Sequence, residues 1–196
     1  MKKLFLVFSV TVSSFGYTQN PVKLITNEPI QFVFHSMKTK DSLVAFQNQT
    51  IDSATIHNEF LQLINQYRKF KGLSEFELDS ELCLAANNQC QYMVKNKYVG
   101  HKQANGILTN LVDRFVEFDT DFNYYNQLYS ENALSTDLFL CFARKRTVVQ
   151  QILDQWATSK PHDQNQLNPV FTKIGISIIK SPIDNQIYAV AVFSEL

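Results

Sequence analysis

Apolar residues return at three- and four-residue steps at Ile56, Phe60, Leu63, Ile64, Tyr67 and Phe70, the spacing of one helix face. Asp52 or Ser53 offers a cap before this run and Gly72 a stop after it. Leu73 to Leu78 forms a short extended link. A second helix then starts at Asp79 or Ser80 and turns Leu82, Ala85, Ala86, Cys90 and Met93 inward. Its paired alanines predict close approach by another element, and Gly100 is expected to end it, with His101 next in the chain. A third helix is expected over residues 107–118, with Leu108, Leu111, Val112, Phe115 and Val116 as its apolar positions and Asp113 and Arg114 outward. An aromatic, polar loop at residues 122–126 leads to Ser130-Glu131-Asn132. A further helix is expected from Thr136 to Trp156, broken near Ala143, with Val148, Val149, Ile152, Leu153 and Trp156 on one face.

Lys160-Pro161 interrupts the helical pattern, and a polar run presents His162. From Ile174 the period changes. Residues 174–179 and 187–193 are rich in β-branched residues and flank Ser-Pro-Ile-Asp-Asn, which predicts a hairpin. Helices followed by strands in one unit define an α+β fold, with helices packed on an antiparallel sheet.

The first 55 residues have a different character. Lys2 and Lys3 precede an apolar run from Leu4 to Val12, and small residues follow up to Gln19, the layout of a secretory signal over residues 1–19. The run is shorter than the roughly 20 residues a membrane span needs. Residues 20–55 read as an extension punctuated by Pro21 and Pro29, with one short strand at Ile30 to Phe34. The domain proper is expected over residues 56–196. The chain is therefore expected to be secreted or periplasmic after signal removal, with no integral membrane span.

Charge narrows the partners. Removing Lys2 and Lys3 from the 18 basic residues leaves 16, against 18 acidic ones. This near-neutral balance argues against nucleic acid, which calls for a basic surface. Cys83 and Cys90 lie seven residues apart on one helix, roughly 10 Å at a rise of about 1.5 Å per residue, too far for a disulfide. One of them can pair with Cys141, or all three can be small buried side chains. No cysteine and histidine spacing for structural zinc occurs, nor any Gly-x-Ser-x-Gly, His-Glu-x-x-His or phosphate-cradling glycine loop.

Taken in order, several pieces share one family's layout. They are Leu82-x-x-Ala85-Ala86-x-x-x-Cys90-x-x-Met93, Tyr98-Val99-Gly100-His101, Asp113-Arg114, Ser130-Glu131-Asn132, Gln150-Gln151-Ile152-Leu153-Asp154-Gln155-Trp156, Pro161-His162 and Asn168-Pro169-x-Phe171-Thr172-x-Ile174-Gly175. The sequence resembles the CAP superfamily (SCP or PR-1-like domain) in its short bacterial form, over roughly residues 56–196. The resemblance implies an α-β-α sandwich with a central cleft, lined by two histidines and acidic residues that can hold a divalent cation such as zinc. His101 matches the first histidine, Glu131 the glutamate of Gly-Glu-Asn, and His162 the second histidine. The family's second glutamate has no counterpart in Ala157-Thr158-Ser159.

The residues carry their own chemical case. Neutral imidazole is the commonest metal ligand, so His101 and His162 are the expected ligands, with Glu131 as a third or as an orienting group. The plainer reading of His101 is a cap on helix carbonyls. His35 and His57 are expected on the surface, and Trp156 in the core. Two functions follow. One is a secreted binding module whose cleft takes a small apolar molecule or a peptide. The other is a hydrolase using His101, Glu131 and His162, with Ser130 as a conceivable nucleophile.

Overall fold

The computed structural model describes residues 53–104, 108–118 and 128–195 of the chain. The leader, the strand expected at Ile30 to Phe34, Ile107 and the aromatic loop at 122–126 lie outside the described residues.

Helix α1 (Ser53–Phe70) buries Ile56, Phe60, Leu63, Ile64 and Tyr67, as its period predicts, while Phe70 stays 43% exposed. Gly72 follows with φ +76, the left-handed conformation that spares a glycine any Cβ clash. The link is then captured by side chains. Asn65 donates to the Phe76 carbonyl (2.9 Å) and accepts from the Phe76 amide (2.7 Å), mimicking a strand neighbour. This leads into β1 (Glu77–Leu78), a two-residue strand that pairs parallel with β3 (Lys173–Lys180).

Asp79 caps α2 (Ser80–Asn96) by accepting from the Glu81 and Leu82 amides. The helix ends earlier than expected. Lys97, not Gly100, takes the left-handed position (φ 49) and returns its amide to Met93 and Val94. Helix α3 (Leu111–Phe118) is likewise shorter than its pattern suggests.

The largest departure is β2 (Tyr129–Asp137). Thr136 lies within this strand, which Asp137 closes, instead of opening a helix, and the helical stretch after it comes as α4 (Leu138–Ala143) and α5 (Val148–Thr158), with the expected break after Ala143. Thr147 and Gln150 start α5 with a reciprocal capping box. The Lys-Pro step does not end helical structure. Pro161 sits in the first turn of α6 (Lys160–Gln166), where its missing amide costs nothing.

The hairpin of β3 and β4 (Gln186–Ser194) forms as predicted, in the register Ile174↔Phe193 and Ile176↔Ala191. The sheet order is β1-β3-β4-β2, antiparallel except for the short parallel edge β1. Strand alternation divides the core. Ile187, Ala189, Ala191 and Phe193 meet α1, α4 and α5 on one face. Tyr188, Val190 and Val192 meet α2 and α3 on the other. The result is the expected α-β-α sandwich. Trp156 is fully buried, edge-on to Phe60, and all three cysteines are free.

The alanines of α2 foretold a close contact, and Gly175 provides it. A Cβ at Gly175 would stand 2.1 Å from the Leu82 carbonyl carbon, a main-chain atom that no rotamer change can move. Gly175→Ala is therefore expected to force helix and sheet apart and destabilise the fold by about 1–3 kcal/mol, read as a lower urea midpoint.

Candidate functional site

The candidate residues gather around the edge strand β2. Its alternation sends Glu131 and Ala133 toward α2 and α3, and Asn132 and Leu134 toward α5 and α6. The two histidines come from opposite layers, and each is tied to β2, the last strand of the described sheet: His101 through Glu131, and the His162 carbonyl through Asn132.

On the first face, Glu131 is the centre. Its Oε2 accepts from Arg114 Nη2 at 2.6 Å, and its Oε1 meets His101 Nδ1 at 2.9 Å. The side-chain exposures run 0% for Arg114, 2% for Glu131 and 54% for His101. A buried cation thus neutralises a buried carboxylate, which in turn holds a solvent-facing imidazole. With Nδ1 turned to the carboxylate, Nε2 is the ring nitrogen left for a ligand. The Glu131 hydrogen bond pushes the His101 pKa up from its ordinary 6.5, against the opposing effects of burial and of Arg114.

Arg114 corrects the sequence reading, which turned it outward. It stands three residues after Leu111 and one before Phe115, inside the buried stripe of α3, while Val116 is 60% exposed. An arginine on an apolar stripe is itself the signal of a buried carboxylate partner.

The loop that carries His101 is pinned from below. Fully buried Gln89 donates to the Gly100 carbonyl at 2.6 Å, and Gln103 Nε2 donates to Gln89 (3.1 Å) and Asn88 (2.7 Å). His101 is thus held by side chains and does not cap the end of α2.

His162 is carried by α6 and is half-buried. Asn132 donates to the His162 carbonyl at 3.0 Å and accepts from Asn165 at 2.8 Å, fixing the helix to β2. The His162 ring lies 6.5 Å from that of Trp156. Burial, and then the nearby His101 charge, push its pKa down. Asp163, the next residue, accepts from the Tyr67 hydroxyl at 2.9 Å. Ser130 stands on the strand face opposite Glu131, which separates it from the His101 pair.

Behind α6, fully buried Arg68 ties the following turn to α1. It donates to the carbonyls of Ser74, Gln166, Asn168 and Phe171 and lies 3.8 Å over the Phe76 ring. An open groove of about 610 Å³ runs beside α6, lined by Ala157, Lys160, Asp163, Leu167 and Pro169 among others; His101, Glu131 and His162 are not in its wall. Among the described residues, no group of three or more His, Cys, Asp or Glu side chains is placed to hold a metal ion. Both oxygens of Glu131 are engaged, by Arg114 and by His101, so this carboxylate acts on the region through His101.

Helices on both faces of a small mixed sheet, with two histidines and a glutamate at its open edge, define a CAP-type domain. The sequence profile of the cysteine-rich secretory protein (CAP) family matches residues 61–193, and the chain belongs to that family. Three solved structures share the fold. An outer surface protein from Borrelia burgdorferi aligns with a TM-score of 0.60 and 22% identity, covering 74% of this chain and 96% of that one. An extracellular protein containing an SCP domain from Bacillus anthracis str. Ames aligns at 0.59 and 21% identity, over 86% of this chain and 47% of that one. A cysteine-rich secretory protein from Staphylococcus aureus gives 0.53 and 15% identity, over 76% of this chain and 40% of its own. No curated protein matches the sequence.

Two outcomes follow. Arg114→Met leaves the Glu131 charge buried with only His101 beside it, and is expected to lower unfolding free energy by about 3–5 kcal/mol. Because folding raises the His101 pKa, its contribution to stability is complete below pH 6.5 and lost as pH rises through the folded-state value. Chemical denaturation should therefore show His101→Ala costing more at pH 5.5 than at pH 9.

Proposed function

We propose that the protein is an exported CAP-type binding module in which His101 and His162 together hold a divalent cation such as zinc. The observation that carries this reading is the chain Arg114–Glu131–His101, which orients an exposed imidazole from beneath with a buried carboxylate. The lowered His162 pKa supports it, since a ligating imidazole must be neutral. A bound cation would supply a Lewis-acidic centre with open positions. The chain's own residues supply the orientation: Glu131 fixes the His101 ring, Gln89 its loop, and Asn132 the helix bearing His162.

The organic ligand, a small apolar molecule or a peptide segment, would lie along the groove beside α6, where Leu167 and Pro169 offer apolar contact and Lys160 a charge. Export is supported by the Lys2-Lys3 leader and by the extracellular and outer-surface descriptions of two structural neighbours. No helix among the described residues is long and apolar enough to cross a membrane.

Zinc titration by calorimetry tests the site. Glu131→Gln, which removes the orienting carboxylate together with the counter-charge of Arg114, is expected to weaken binding roughly 10–100-fold in protein whose far-ultraviolet spectrum shows the fold retained. His101→Ala and His162→Ala should each do at least as much. Affinity should rise from pH 6 to pH 8, because the metal must displace the His101 proton. Equal zinc affinity in wild type and both histidine variants would remove the proposal. A carboxylate-oriented histidine with a free Nε2 is also the arrangement of a general base, which favours a hydrolase as the second reading. Hydrolysis of a peptide and ester library that is lost in His101→Ala would establish it.

A further inference from the structure

Beneath the loop that bears His101 runs a chain of buried amides whose polarity is fixed. Gln89, fully buried on α2, donates through Nε2 to the Gly100 carbonyl at 2.6 Å, one residue before His101. Its Oε1 accepts from Gln103 Nε2 at 3.1 Å, and the same nitrogen donates to Asn88 Oδ1 at 2.7 Å. A carbonyl only accepts, so Gln89 must turn its NH2 to Gly100. Its oxygen then needs a donor, and Gln103 must turn its own NH2 inward. An amide flipped at either position would set two acceptors against each other out of water.

The loop is also tied to the other partner of Glu131. The Gln103 amide donates to the Thr109 carbonyl at 2.9 Å, and the Arg114 amide to the Asn110 carbonyl at 3.3 Å, so the start of α3 is fastened to the loop. The Ala104 amide donates to the Tyr92 hydroxyl at 2.8 Å, a further attachment to α2. Asn88 and Tyr92 stand four residues apart, on one side of that helix. The loop that bears His101 and the helix that bears Arg114 are thus both set against one turn of α2, and Glu131 bridges them.

We infer that Gln89 and Gln103 are positioning residues for His101: by holding the Gly100 carbonyl, they keep the imidazole in the tautomer that has its hydrogen on Nδ1, toward Glu131, and its lone pair on Nε2. Free neutral histidine favours the opposite form, with hydrogen on Nε2, which leaves that nitrogen unable to accept a ligand or a proton. The carboxylate reverses the preference only while the loop keeps the ring within its 2.9 Å hydrogen bond. The inference deepens the reading of His101 as the ligating residue and rests on it for its purpose, but the tautomer itself needs no bound cation.

The test is a two-bond nitrogen–proton correlation spectrum of the full chain, labelled with nitrogen-15 in its histidines. It is recorded free of metal at about pH 9, where imidazoles are neutral. The His101 signals are assigned by their loss in His101→Ala. In the parent, the Nδ1–H form of His101 should exceed the other by roughly tenfold, the scale of a hydrogen bond to a charged group. Gln89→Met and Gln103→Met keep the side-chain length and remove the amide, and each should lower that excess roughly fivefold or more, with an unchanged far-ultraviolet spectrum showing that the fold is retained. Gln103→Met, which removes the less buried amide, decides alone where Gln89→Met does not fold. Thr147→Ala loses the capping box of α5, on the other face of the sheet, and should leave the tautomer unmoved although it costs stability. A parent in which His101 carries its hydrogen on Nε2 overturns the inference. So does a tautomer that Gln103→Met does not shift, or one that Thr147→Ala shifts as far. Zinc affinity plays no part in this readout, so failure of the cation reading and failure of the positioning role are separate results.

Discussion

The Arg114–Glu131 ion pair is the constraint on which the site rests. Both side chains are out of water, and among the described residues the Nε and Nη1 of Arg114 find no hydrogen-bond partner, so Glu131 is its compensating charge there. Burying the two ions costs more than their attraction returns unless geometry and further hydrogen bonds are good. The return here is positional. One carboxylate oxygen holds the arginine, which leaves the other to hold His101 at the surface. A hydrophobic replacement of the pair could keep the sheet packed, but it would leave the imidazole without an orienting partner.

The second histidine is fixed by different means. No charge holds the His162 ring; Asn132 instead holds its main-chain carbonyl, while Arg68 and the Tyr67–Asp163 hydrogen bond anchor α6 and the turn beyond it to α1. The contrast shows in the titration of the two rings. His101 gains basicity from its carboxylate, and His162 loses it to burial and to the neighbouring positive charge. Similar residues are thus shifted in opposite directions by their surroundings alone.

The elements with strong periodicity were legible in the sequence: α1, α2, α5 and the β3–β4 hairpin all occur where their patterns place them. Strand β2 was not, because Ser130-Glu131-Asn132 puts three polar residues where a buried strand ordinarily carries apolar ones. Glu131 and Asn132 are polar because one holds His101 on one face and the other holds the His162 carbonyl on the opposite face. The same cause hid Arg114. Its charge argued for solvent, and only its place on the Leu111–Phe115 stripe argued for burial. His101, Glu131 and His162 were found through family resemblance, whereas the Gln89 and Asn132 contacts depend on which carbonyl lies within reach, which no spacing rule encodes. Lys97 as the end of α2 belongs to the same class, since a left-handed lysine competes poorly with a nearby glycine in any reading by propensity.

The sheet order has a consequence for the order of events in folding. Strand β4, at residues 186–194, lies between β3 and β2 and supplies the partner for each. Tyr129 pairs with Ser194, so the strand that carries Glu131 lacks its β4 partner until residue 194 has been made. Pairings this distant are closed late and slowly. A chain truncated before β4 keeps only the short β1–β3 pairing and lacks the strand that joins β3 to β2.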